Sequence, residues 1–184
     1  MIRQVLTELN SRMEKVVEGL GKDLAVIRTG RATPALVEKI MVNYHGALTP
    51  LLQLASVSTP ETNLILIQPW DRTALKEIEK AIFKGINLNP QNDSNVIRVI
   101  IPPLSEERRV ELAKLVSKRV EERRVMLRNI RRDGIEELRQ MEKNKEISQD
   151  QLKSASKEVD ELSSSFIDKI NEIGQNKERE IKEV

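Results

Sequence analysis

Six arginines, Arg119, Arg123, Arg124, Arg128, Arg131 and Arg132, fall within fourteen residues of this 184-residue chain. A guanidinium stays charged at neutral pH and presents a planar fork of donors that fits two phosphate oxygens at once. On a helix, Arg124, Arg128, Arg131 and Arg132 lie three or four residues apart and share a face. Such a row binds a nucleic-acid backbone, giving affinity with little reading of base sequence. No aromatic residue interleaves the arginines, which argues against stacking on unpaired bases. A structured RNA recognised by shape and phosphates fits better. The competing reading is a solvated helix face balanced by Glu121, Glu122 and neighbouring acidic helices.

The charge distribution favours a polyanion-facing segment. The chain as a whole carries a formal charge of only +2. Residues 104–134 hold 10 basic and 6 acidic groups, whereas residues 135–184 hold 9 and 13. Local asymmetry of this kind marks a candidate interaction surface. Arg28 and Arg31 add positive charge after the first helical pattern.

Other chemistry lacks its residues. The chain has no cysteine, so thiolate nucleophiles and Cys-ligated metals are excluded. His45 is the sole histidine and sits in a His-Gly turn signal, where a structural role is the simplest reading. Gly21-Lys22 fails as a phosphate loop, because Val16 stands where the first glycine belongs and Asp23 replaces the Ser or Thr. No catalytic residue, metal ligand or cofactor site is identified. The charged N-terminus does not read as a signal peptide, and no segment reaches the roughly 20 apolar residues of a membrane span. The expectation is a cytoplasmic protein.

Proline placement shows what must position the arginines. All seven prolines lie between Pro34 and Pro103. Proline removes a backbone donor and clashes inside a helix, so only the flanks permit long helices. Residues 2–28 carry an apolar stripe through Leu9, Met13, Leu20 and Leu24, with Thr29-Gly30 as a stop. Ser105, after Pro102-Pro103, is a candidate N-cap for a second helix, whose seam includes Leu112, Leu115, Val116, Leu127 and Leu138. Arg123 and Gly134 interrupt that seam. A third helix starts near Ser148, where Ser148 and Gln151 fit a capping box. Three such stripes can bury one another in a bundle; an extended coiled coil is the alternative.

The middle of the chain has β signals at Val37–Asn43, Leu51–Ser58, Asn63–Gln68 and Val96–Ile101. Asp71 caps a helix through Phe83, and Asn87–Asn95 reads as a polar loop. The predicted fold class is α+β. Residues 1–30 and 105–184 form a discontinuous long three-helix bundle, and residues 31–104 form an inserted small β/α/β domain with its linkers. Two linkers at one point make a hinge available; a rigid elbow stiffened by proline is the alternative.

Several motifs together are specific. Arg28-Thr29-Gly30-Arg31-Ala32-Thr33-Pro34 resembles the incoming linker of the bacterial ribosome recycling factor family. Tyr44-His45-Gly46, Leu54-Ala55-Ser56-Val57, Asp71-Arg72, Leu88-Asn89-Pro90, Ile97-Arg98-Val99, the run Pro102 to Arg109, Val125 to Asp133 and Lys145-Glu146-Ile147-Ser148 follow in family order. The resemblance spans essentially the whole chain. It implies an L-shaped, monomeric translation factor, not an enzyme, that needs no cofactor. Its partners would be elongation factor G and, at the subunit interface, the rRNA of the large ribosomal subunit; no membrane is involved. With elongation factor G and GTP it would split post-termination ribosomes into subunits. The resemblance places Arg128, Arg131 and Arg132 on the family's rRNA-contacting stretch and Arg28 and Arg31 on the arginines of its linker motif; with Arg109 and Arg124 these are the candidate rRNA-binding residues. The hinge falls on Thr29, Gly30, Arg31, Ala32, Pro102, Pro103, Leu104 and Ser105. A coiled-coil protein adaptor, which would oligomerise, is the rival class.

Overall fold

The computed structural model describes residues 1–183. They form two compact units, residues 1–28 with 106–183 and residues 29–105.

The first unit consists of α1 (Ile2–Ala25), α3 (Glu106–Lys143) and α4 (Gln149–Lys182), and each helix packs on the other two. At 1.5 Å per residue, the 38 residues of α3 extend about 57 Å. The core is built from the apolar stripes: Leu9, Met13 and Leu20 of α1, Val116, Leu127 and Leu138 of α3, and Val159, Phe166 and Ile170 of α4 are all buried. Burying a side chain of this size contributes roughly 1.5–3 kcal/mol. Leu115 departs from the expected seam and is 37% exposed.

Gly134 does not interrupt α3, which runs unbroken past it. It is buried, and a Cβ there would collide with the side chain of Leu9. The glycine therefore lets α1 approach α3 closely. Gly174 of α4 does the same for Val120 of α3, where a Cβ would lie 2.7 Å from a Val120 methyl. Arg123 is not a break either. Its guanidinium covers Gly19 and donates to Asp23 Oδ2 at 2.5 Å, closing the α1–α3 seam.

α1 ends at Ala25 rather than at residue 28, with Val26 still in the right-handed region. Gly30, with φ of 73°, takes its left-handed conformation in the linker instead. Between α3 and α4, Lys145 supplies the left-handed residue (φ 60°). Glu146 N–H donates back to Met141 O, the 6→1 bond of a Schellman ending. The Ser148 hydroxyl accepts from Gln151 N–H and the Gln151 side chain accepts from Ser148 N–H, so the capping box forms.

The second unit contains a hairpin, β1 (Met41–Tyr44) and β2 (Ala47–Pro50). It also contains an antiparallel sheet of β3 (Ala55–Glu61), β4 (Leu64–Pro69), β5 (Gln91–Asp93) and β6 (Val96–Ile100), in the order β3-β4-β6-β5. Helix α2 (Leu75–Ile86) contributes Ile78 and Ile82 to a core shared with Ile65, Ile67, Ile97 and Val99. Asp71 caps the 3-10 turn leading into α2, accepting from Thr73 N–H at 2.9 Å, and Asn87 (φ 54°) ends the helix.

Three local expectations change. Residues 37–40 are not strand, because Pro34 starts a 3-10 turn and Val37 N–H donates to Pro34 O. Leu51–Gln53 is a second such turn, which delays β3 to Ala55. Gln91–Asp93 lies in the expected polar loop but pairs with β6, closing through a turn at Ser94 (φ 54°) and Asn95.

Candidate nucleic-acid interface

α3 is the element that carries the arginine row, and its helical periodicity sorts the row into three environments. Residues facing α1 or α4 have neighbours within reach, while the opposite stripe faces solvent. Glu121, Val125, Arg128 and Arg132 stand four, three and four residues apart and are all exposed, so they form that outward stripe. Val125 is an apolar residue within it, 43% exposed.

Arg124 and Arg131 lean from the stripe toward α4. Arg124 donates from Nε and Nη2 to Asn171 Oδ1, at 2.8 and 2.5 Å, and from Nη1 to Glu121 Oε2 at 3.1 Å. Arg131 Nε donates to Asp160 Oδ1 at 2.6 Å. Arg128 Nη2 donates to Glu121 Oε1 at 2.5 Å. Arg132 is exposed and, among the described residues, has no ion pair. The two guanidinium partners hold the Glu121 carboxyl below its usual range, through hydrogen bonds from Arg124 and then Arg128.

Within the bundle, Arg28 and Arg109 are not gathered with these four. Arg109 is half-buried and lies fifteen residues before Arg124, about 22 Å along α3. Arg28 is exposed beyond the end of α1. The register of α1 on α3, Leu9 at Gly134 and Gly19 at Arg123, carries it toward the N-terminal half of α3, away from Arg128 and Arg132. Arg31 is exposed and belongs to the other unit. Arg119 pairs with Glu122 at 3.2 Å.

The linker residues differ among themselves. Thr29, Gly30 and Ala32 are buried, Pro102, Pro103 and Ser105 are exposed, and Leu104 is half-buried. Ala32 N–H donates to Thr62 O at 2.7 Å and Ile101 N–H donates to Asn63 O at 2.8 Å. Both linkers are thus tied to the same β3–β4 turn.

Elsewhere the polar clusters are structural. Tyr44 OH donates to Asp71 Oδ2 at 2.7 Å, linking the hairpin to the α2 cap. That bond, with those from Thr73, keeps the Asp71 carboxyl below its usual range, and the bond to Asp71 raises the Tyr44 hydroxyl above its own. His45 (φ 49°) sits at the hairpin turn with its ring edge-on to Tyr44, their centroids 4.3 Å apart. Among the described residues no group of three or more His, Cys, Asp or Glu could hold a metal ion. No helix there is long and apolar enough to cross a membrane.

Sequence reasoning found only part of the set that holds the arginines: Glu121 and Glu122 were named as balancing charges, and they pair with Arg124 and Arg128 and with Arg119. Glu121 was legible, since it lies three and seven residues before Arg124 and Arg128. Asn171 and Asp160 were not, because only the packing of α4 on α3 brings them across.

The comparisons agree with one another. The family model described as ribosome recycling factor matches residues 20–181. Among similar curated proteins are the ribosome-recycling factors of Syntrophomonas wolfei, 51% identical, and of Geobacillus kaustophilus, 50% identical. The factor from Bacillus licheniformis is 48% identical. Each match covers 100% of both chains. A solution structure of the ribosome recycling factor matches with a TM-score of 0.75 at 44% identity, covering 100% of this chain and 98% of that one. A second structure models the T. thermophilus ribosome recycling factor and E. coli elongation factor G bound to the E. coli post-termination complex. It matches with a TM-score of 0.65 at 41% identity, covering 98% of each chain.

Proposed function

The chain belongs to the ribosome recycling factor family, and on that premise we propose that it works with elongation factor G and GTP to split post-termination ribosomes into subunits. It is a non-enzymatic translation factor of ribosome recycling. The partners follow from the relative bound with elongation factor G on the post-termination complex. The site of action is the cytoplasm, and the working form is a monomer.

The observation that carries the reading is the outward stripe of α3. Arg128 and Arg132 project from a helix about 57 Å long that two further helices brace. A braced helix holds its arginines at fixed spacing, which suits the fixed phosphates of folded large-subunit rRNA. Arg124 and Arg131 extend the same surface toward α4. Arg28, Arg31 and Arg109 serve as separate, weaker contacts.

Movement is assigned to the linkers. The ties of Ala32 and Ile101 to the β3–β4 turn support a pivot in the short stretches 28–31 and 102–105, with Ala32 moving as part of the small unit. The bundle then grips RNA while the translocase displaces the small unit, and the load passes through the bundle to the contacts between subunits. The GTP is hydrolysed by the elongation factor; this chain has no phosphate loop.

The test is subunit splitting by the chain with elongation factor G and GTP, compared with Arg128→Ala/Arg132→Ala. The double variant should bind large subunits weakly and split poorly. Full splitting with unchanged affinity would refute the anchoring role. A covalent cross-link between the two units should abolish splitting and spare binding; retained splitting rejects the pivot.

A further inference from the structure

An arginine surface for RNA has a standing problem, which is that any polyanion attracts it. On α3 three of the four clustered arginines already donate to a carboxylate. Glu121 accepts from both Arg124 and Arg128, one on each oxygen. Asp160 of α4 accepts from Arg131. Among the described residues, Arg132 alone in this group has no carboxylate partner. We infer that Glu121 and Asp160 are specificity residues, standing in for phosphates in the free protein and giving way only to an RNA whose phosphates meet several arginines together.

This inference rests on the RNA reading of the α3 surface. The carboxylates are half exposed, with 51% of the Glu121 side chain and 49% of the Asp160 side chain accessible. Ion pairs at such positions are weak and open readily to a better anion. Because Glu121 bridges two arginines, one phosphate cannot replace it without leaving either a guanidinium unpaired or the carboxylate facing the incoming backbone. A backbone that matches Arg124, Arg128 and Arg132 at once replaces both bonds; a mismatched one meets repulsion. The same two carboxylates hold the arginine forks in place before binding, which reduces the ordering cost of the correct contact. Asp160 plays this part for Arg131 from the neighbouring helix.

The test measures affinity for large ribosomal subunits and for an unrelated RNA duplex, each over a range of salt, with wild type, Glu121→Gln and Asp160→Asn. The amides keep shape and an acceptor oxygen but remove the charge. Each variant should bind the unrelated duplex about fivefold more tightly, the effect of one charge a few ångström away in water. Its log-affinity against log-salt slope should steepen by about 0.7–0.9. Affinity for large subunits should rise less, so the preference for them falls. Glu77→Gln, which removes a charge paired with Lys80 in the other unit, is the control and should change duplex binding less than twofold. Unchanged duplex affinity and slope in both variants overturn the inference while leaving the RNA reading in place. An equal gain from Glu77→Gln also overturns it, because net charge alone then explains the effect. Wild-type chain with no affinity for large subunits removes the RNA reading and this inference with it.

Discussion

Arg123 and Arg132 are nine residues apart on one helix, and their surroundings are opposite. Arg123 has a side chain only 20% exposed, lies over Gly19 and is bound to Asp23 of α1. Arg132 faces solvent with no ion pair among the described residues. The first completes the interior seam of the bundle; the second belongs to its working surface. A run of arginines is therefore not a single feature. Helical phase divides it, and the neighbouring helices decide which members hold the protein together and which remain available to a partner.

The division predicts variants with separable effects. Arg128→Ala combined with Arg132→Ala should weaken large-subunit affinity on the order of a hundredfold, since each charge-assisted hydrogen bond is worth about 1.5 kcal/mol or more. Its melting temperature should stay near wild type. Gly134→Val should do the reverse. A side chain there runs into buried Leu9, at a cost of about 3 kcal/mol, lowering the melting temperature by roughly 6–12 °C. Gly21→Ala is the matched contrast. Nothing lies within 4 Å of a Cβ at that position, so the better helix former should raise the melting temperature by roughly 2–4 °C. A gain at residue 134 like that at residue 21 would mean that helix propensity, not close approach, governs both sites. Arg123→Ala should lower the melting temperature by roughly 2–4 °C and leave RNA affinity within twofold. A large affinity loss in that variant would erase the distinction between seam and surface.

The smallest effect is on pH dependence. Hydrogen bonding from Arg123 lowers the Asp23 carboxyl below its ordinary value. On unfolding, Asp23 returns to about 3.9. The contribution is therefore complete above that ordinary value and is lost as pH falls through the lower, folded one. Asp23→Asn should make the acid side of a stability curve shallower, read as urea midpoints between about pH 5 and pH 2.5. A slope matching wild type would show that the pair contributes nothing in the folded state.

The residues that were legible in the sequence and those that were not differ in the range of the interactions that set them. The three long helices followed from local periodicity, and the Ser148–Gln151 capping box followed from four adjacent residues. Gly134 was misjudged because its helix-weakening tendency is local, whereas its purpose, contact with Leu9, spans the sequence from α3 back to α1. Residues 91–93 looked like loop because Gln, Asn and Asp have low strand preference. They are strand because β6 offers a free edge and the Ser94–Asn95 turn returns the chain to it. The arginine stripe was visible as spacing. Its sorting was not, since Asp23, Asp160 and Asn171 come from other helices. Arg28 and Arg109 looked equivalent to the rest by charge, and only the register of the bundle separates them.

The salt dependence of large-subunit binding tests the central claim most directly. If Arg128 and Arg132 grip phosphates, wild-type affinity should fall steeply and linearly on a log–log scale as salt rises, and Arg128→Ala/Arg132→Ala should flatten that slope by roughly 1.5. A wild-type affinity indifferent to salt, or a double variant with the wild-type slope, would contradict the account.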